Sequence, residues 1–190
     1  MKKVILSASI MGLLFVSGCS DKEIVVKEHK KMYECSINGE EAPKWVCGNV
    51  NPDKNEILDS GSAKMSKGGF EFTKRNALAS ARSNMAQQIS TLVKDKVAKY
   101  MGSTGIGDQE TIDTTSEQVS KQVAKVMLNG SRQINLWQNE TDVFVLVSMD
   151  KSGIAKEAAK QVSTSLKNDN ALWQKFQAKQ SMESLEKEFE

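Results

Sequence analysis

The side chains able to do chemistry are few, and their spacing is informative. The chain holds one histidine, His29, and three cysteines, Cys19, Cys35 and Cys47. A lone histidine removes His-based metal sites and the usual acid–base triads from consideration. Eleven residues separate Cys35 from Cys47, with no histidine beside either. That spacing suits neither CxxC redox chemistry nor zinc. In an exported chain it suits a structural disulfide, closing a short loop that holds the Asn38-Gly39 turn signal and Pro43. The carboxylates form no converging pair, and charged residues fall opposite the apolar stripes, where water solvates them. Gly102-Ser103-Thr104-Gly105-Ile106-Gly107 has the glycines of a phosphate loop. It follows a helical stretch and carries no lysine, so it reads as a helix–helix connection. No catalytic site, metal or cofactor is expected.

The remaining cysteine stands in a different context. Met1-Lys2-Lys3 is a short positive segment, and Val4 to Val16 is mostly apolar but too short for a comfortable membrane span. It leads into Val16-Ser17-Gly18-Cys19, which resembles the bacterial lipobox. There a thiol accepts diacylglycerol, and small residues before it fit the signal peptidase. Residues 1–18 are therefore expected to be a lipoprotein signal peptide and Cys19 the lipidation site. An N-terminus bearing several acyl chains, palmitate among them, anchors stably without a transmembrane helix. Ser20, where an aspartate would signal inner-membrane retention, resembles the outer-membrane-directed class. The expected location is the outer membrane, on its periplasmic face, although the residues themselves do not distinguish that face from the cell surface.

The polypeptide has 190 residues, of which 26% are charged and 39% hydrophobic, with two prolines. This is the profile of one globular domain with an appendage. Removing Lys2 and Lys3 with the signal peptide leaves 24 basic residues against 24 acidic ones. A neutral chain lacks the basic excess that drives nucleic-acid binding, so no nucleic acid partner is expected.

The elements that must position these residues follow from periodicity. Residues 19–34 are polar and charged and read as the lipidated N-terminus and its tether, with His29 solvated within it. Ile57-Leu58 and Gly61-Ser62-Ala63 mark a first strand. Leu78, Ala81, Met85, Ile89, Leu92 and Val93 recur at three- and four-residue spacings, predicting a long helix to about Tyr100. Ala77 and Ala81 would let it approach a sheet closely. A second helix is predicted over Asp113 to Leu128, stopped by Asn129-Gly130. Ile134 and Leu136, then Asp142 to Met149, predict a hairpin. In its second strand Val143, Val145 and Val147 face one way, and Phe144 and Leu146 the other. Such a strand must be covered twice, by helices on one side and on the other by a partner. A third helix is predicted from Asp150, with Ile154, Ala158, Val162 and Leu166 inward. After Asn168-Asp169-Asn170, an amphipathic helix carries Leu172, Trp173, Phe176, Met182, Leu185 and Phe189, to pack on its own domain or on a neighbouring subunit. The division is thus 35–168 for the domain and 169–190 for the C-terminal helix.

The order of strand, Ala-rich helix, second helix, hairpin and third helix behind a lipobox resembles the LPP-twenty family of small outer-membrane lipoproteins. Pro43-Lys44-Trp45, Gly61-Ser62-Ala63, Asn76 to Ala86, and Val143-Phe144-Val145-Leu146-Val147 with Asp150-Lys151 carry the resemblance. It implies an α+β fold with a small antiparallel sheet and helices on one face, oligomerisation, and no known catalytic site. One branch, the FlgP-like lipoproteins, polymerises into a disk around the flagellar motor. Another comprises antigenic lipoproteins proposed to act on host cells. The expectation is a non-catalytic homo-oligomer in contact with flagellar motor components, or else a surface-exposed antigen or adhesin. Its subunit contacts are expected at Val143, Val145, Val147, Leu172, Phe176 and Phe189.

Overall fold

The computed structural model describes residues 35–50, 52–178 and 181–189. Cys19, His29 and the expected signal peptide and tether lie outside them. The chain forms β1 (Ser36–Ile37), β2 (Glu40–Glu41), a 3-10 turn (Lys44–Cys47), β3 (Glu56–Lys64) and α1 (Phe70–Thr104). It continues through α2 (Gln109–Met127), β4 (Arg132–Gln138), β5 (Asp142–Asp150), α3 (Ile154–Leu166), α4 (Asn170–Ala178) and α5 (Ser181–Lys187). This is the expected α+β class.

The principal sheet has the order β3-β5-β4, antiparallel throughout. The most apolar strand takes the centre, where both its edges are hydrogen-bonded. Gly61 lies opposite Val145, and Trp137 opposite Phe144. The β4 register shifts between Gln133 and Asn135, leaving Ile134 at a bulge. Helices cover the face bearing Val143, Val145, Val147 and Met149.

Helix α1 organises this layer. Its buried residues include Thr73, Ala77, Ala81, Met85, Ile89, Val93, Val97 and Met101, a run spaced by fours. Four residues overshoot a full turn by about 40°, so over that run the buried stripe winds about 280° around the axis. A surface helix needs a one-sided stripe. α1 instead turns one side to the sheet in its first half and others to the neighbouring helices further on, among which α2 packs along it most extensively. At its end Gly105 adopts a left-handed conformation, with Gly105 N–H donating to Gly102 O and Ile106 N–H to Met101 O. Ile106 is completely buried. The glycine-rich stretch is therefore a helix stop sealed by an apolar contact. Asp108 then caps α2 by accepting from Thr111 N–H at 2.9 Å.

Element boundaries depart from the sequence reading where capping intervenes. α1 runs four residues past Tyr100, and α2 begins at Gln109, just after its Asp108 cap. Asp150 closes β5 and its carboxylate accepts from Ser152 N–H, so α3 starts only at Ile154. The C-terminal stretch is two helices. Asp169 caps the first, accepting from the N–H groups of Ala171 and Leu172. Phe176 and Leu185 are buried in the same core as α1 and α3, and Lys99 Nζ meets Glu188 Oε2 at 2.7 Å. The tail thus packs on its own domain.

Gly61 sets how close α1 lies to the sheet. A Cβ at this position would fall inside the backbone of Ser80 and Ala81. Gly61→Ala should therefore cost at least about 2–3 kcal/mol, since a helix backbone cannot yield as a side chain does. Ala81→Gly should not rescue it. Urea unfolding followed by far-ultraviolet circular dichroism checks both variants.

Candidate functional site

The structure joins Cys35 to Cys47, with Cα atoms 5.9 Å apart. The loop so closed has its own small core of Cys35, Ala42 and Val46, against which Ile37, Trp45, Trp137 and Phe144 pack. Phe144 and Trp137 project from β5 and β4 on the face away from α1, their rings 5.6 Å apart. Asn38 Nδ2 donates to Thr141 Oγ1 at 2.9 Å, fastening the tip of the β1–β2 turn to the β4–β5 connection. Part of the second apolar face of β5 is thus covered by the chain's own disulfide loop, where the sequence reading placed a partner. The other end of that face is polar: Glu56 accepts from Ser148 Oγ at 3.1 Å and pairs with Arg132 at 3.3 Å.

The expected subunit contacts require correction. Val143, Val145 and Val147 are completely buried on the helix-facing side of β5. They form the core of the single chain and are inaccessible to a second copy. Alternation showed two apolar faces but could not say which one the chain's own helices would take. Phe176 is 2% exposed and stacks on Trp173, itself under Lys167. Leu172 and Phe189 are only partly buried and keep some surface. Of the six, these two alone retain accessible area.

No cluster of three potential metal ligands occurs among the described residues. Among those residues, too, no helix is long and apolar enough to cross a membrane. Among the described residues three surface carboxylates are more acidic than usual, each for a local reason. Asp108 is held down by hydrogen bonds from the Thr111 side chain and backbone, and Glu117 by Lys121 and then Lys94. Asp150 is held down by the backbone and hydroxyl of Ser152. These are capping and helix-surface pairs, in the positions such carboxylates occupy structurally. A groove of about 580 Å³ bordered by Lys54, Lys96, Lys151, Glu186 and Phe189 separates the β5–α3 turn from the C-terminus.

The feature missed in the sequence lies at the other end of β5. Met65, Phe70 and Phe72 are 36%, 37% and 45% exposed. They flank the turn from β3 into α1. The signal available was Phe70-Glu71-Phe72 directly after Gly68-Gly69, two aromatics outside the stripe that begins with Thr73 and Ala77.

A small antiparallel sheet carried under a spiral-buried helix, with a disulfide loop on its back, defines a compact α+β module. The LPP20 lipoprotein family profile matches residues 43–150. The match spans more than half of the chain, from Pro43 in the disulfide loop to the last residue of β5, and the chain belongs to this family. No curated protein matches it.

Two substitutions test this arrangement. Replacing both Cys35 and Cys47 by alanine should remove about 3 kcal/mol of loop stabilisation. Trp137 emission should shift to the red while the helical signal persists. Phe176→Asp should not act as a surface substitution. Burying its carboxylate should cost about 3–5 kcal/mol and release α4 and α5, read as lowered Tm and rapid trypsin cleavage after Lys175.

Proposed function

We propose that this protein is a non-catalytic lipoprotein, anchored through Cys19 in the outer membrane and assembling side by side on its periplasmic face around the flagellar motor. The carrying observation is membership of a lipoprotein family by a chain whose lipobox cysteine precedes a single small domain. Anchoring holds copies in one orientation and raises their effective concentration, so weak lateral contacts suffice for assembly. Zero mature charge lowers the repulsion between neighbours.

With the β5 valines in the core, lateral contact falls to surfaces that remain accessible. One is the outer edge of β4, which pairs with no further strand among the described residues and exposes Ile134 at its bulge. The others are Leu172 and Phe189. An open strand edge offers unpaired backbone groups to a second copy.

The test is a clean deletion strain. Filaments should remain by electron microscopy while swimming speed in viscous medium falls several-fold, and the motor should lack a ring beneath the outer membrane. Normal swimming would sink the motor role. Protease access on intact cells would then point to a host-facing antigen or adhesin.

A further inference from the structure

The three exposed apolar side chains at the start of α1 have a common geometry. Phe70 and Phe72 lie about 200° apart around the axis, yet Cα–Cβ bonds in a helix tilt toward its N-terminus. Both rings therefore lean to the tip. Met65 precedes them in the turn out of β3. From Lys64 to Arg75 there are four basic side chains, Lys64, Lys67, Lys74 and Arg75, against one acidic, Glu71. None of the four cations is paired with a carboxylate among the described residues. The carboxylates facing them from other elements are Glu140 and Asp142, which border a cleft with Lys64 and Met65. Asp142 is already engaged there by Thr141 Oγ1 at 2.6 Å.

This tip is also where the polypeptide enters the domain. Asn38, three residues after Cys35, bonds Thr141, and Thr141 O accepts Met65 N–H at 2.7 Å. Cys35 lies sixteen residues after Cys19, a span of at most about 53–58 Å. The opposite end of α1 is about 52 Å away. The anchor could bring that far end to the bilayer only near full extension, whereas the Phe70–Phe72 tip is reached with slack.

We propose that this tip docks on an anionic phospholipid surface. Met65, Phe70 and Phe72 enter the headgroup layer, and Lys64, Lys67, Lys74 and Arg75 meet headgroup phosphates. The inference rests on the Cys19 anchor proposed above, which supplies proximity. Apolar insertion and basic contacts form a second membrane signal. A second copy of the chain fits the same patch poorly, because a symmetric contact would bring the two sets of cations together.

The test introduces an indole at the tip, as Phe72→Trp, in the acylated protein purified from membranes. The protein is mixed at high lipid with phosphatidylglycerol-containing vesicles carrying brominated acyl chains. Relative to the wild type, which reports Trp45, Trp137 and Trp173, about half of the added emission should be quenched, and 0.5 M salt should weaken the effect. Glu110→Trp, in the first turn of α2 just after the far end of α1, should show none. The same protein is floated on a density gradient to read the anchor separately. Flotation without tip quenching overturns docking and leaves the anchor standing. Tip quenching without flotation supports docking and removes the anchor. Absence of both overturns both. Should quenching be absent while Phe70→Ser/Phe72→Ser lowers the oligomer size, the tip is a protein interface and docking is overturned.

Discussion

The approach of the α1 backbone to β3 at Gly61 is the constraint on which the rest of the domain depends. A helix normally stands off a sheet by the depth of the side chains between them. Here there is no side chain on the strand and only methyl groups, Ala77 and Ala81, on the helix. Polar side chains can then bridge the short gap: Asn84 Nδ2 donates to Ser60 O at 2.9 Å, on an otherwise unpaired strand edge. Further along, Arg82 Nε donates to Ser131 Oγ at 3.1 Å, tying the same helix to the entry of the hairpin. One contact thus seats α1 on β3 and its neighbour β5.

The rotation of the buried stripe follows from that placement. A helix seated so low on a small sheet is wider-shadowed than the sheet itself, and its second half projects beyond the strands. Burying that half requires other helices, and α2, α3 and the C-terminal pair supply them. The tail is for this reason part of the fold: Phe176 and Leu185 fill space that the sheet cannot reach. The disulfide loop does the corresponding work on the back of the sheet, shielding Phe144 and Trp137. Because loop and tail cover the apolar surface, what remains for interaction is peripheral: an edge strand, a few half-exposed side chains and the α1 tip.

This distribution bears on how such a lipoprotein works. Under the proposed anchoring through Cys19, attachment and orientation come from outside the domain, and the domain supplies shape. The carboxylates with lowered pKa are engaged in capping and helix-surface pairs, which are structural uses of charge. The α1 tip lies beside the β4–β5 connection, to which Asn38 of the disulfide loop is bonded. The outer edge of β4 pairs with no further strand among the described residues.

Much of this was legible in the chain. The pairing of Cys35 with Cys47 follows from two thiols at a spacing unsuited to metal or redox chemistry. The long helix follows from its four-residue recurrence, the hairpin from β-branched alternation, and the close approach from Ala77 and Ala81, though not the part Gly61 plays in it. Local rules suffice there because each feature is set by neighbouring residues. The assignment of faces was not legible. Val143, Val145 and Val147 have the same pattern whether they meet their own helix or another subunit, and Phe176 has the same pattern in a core as in an interface. Only the tertiary structure decides which apolar surface is already occupied, because that depends on volumes brought together from distant parts of the chain. By the same logic Phe70 and Phe72 stood out only once the core had closed without them.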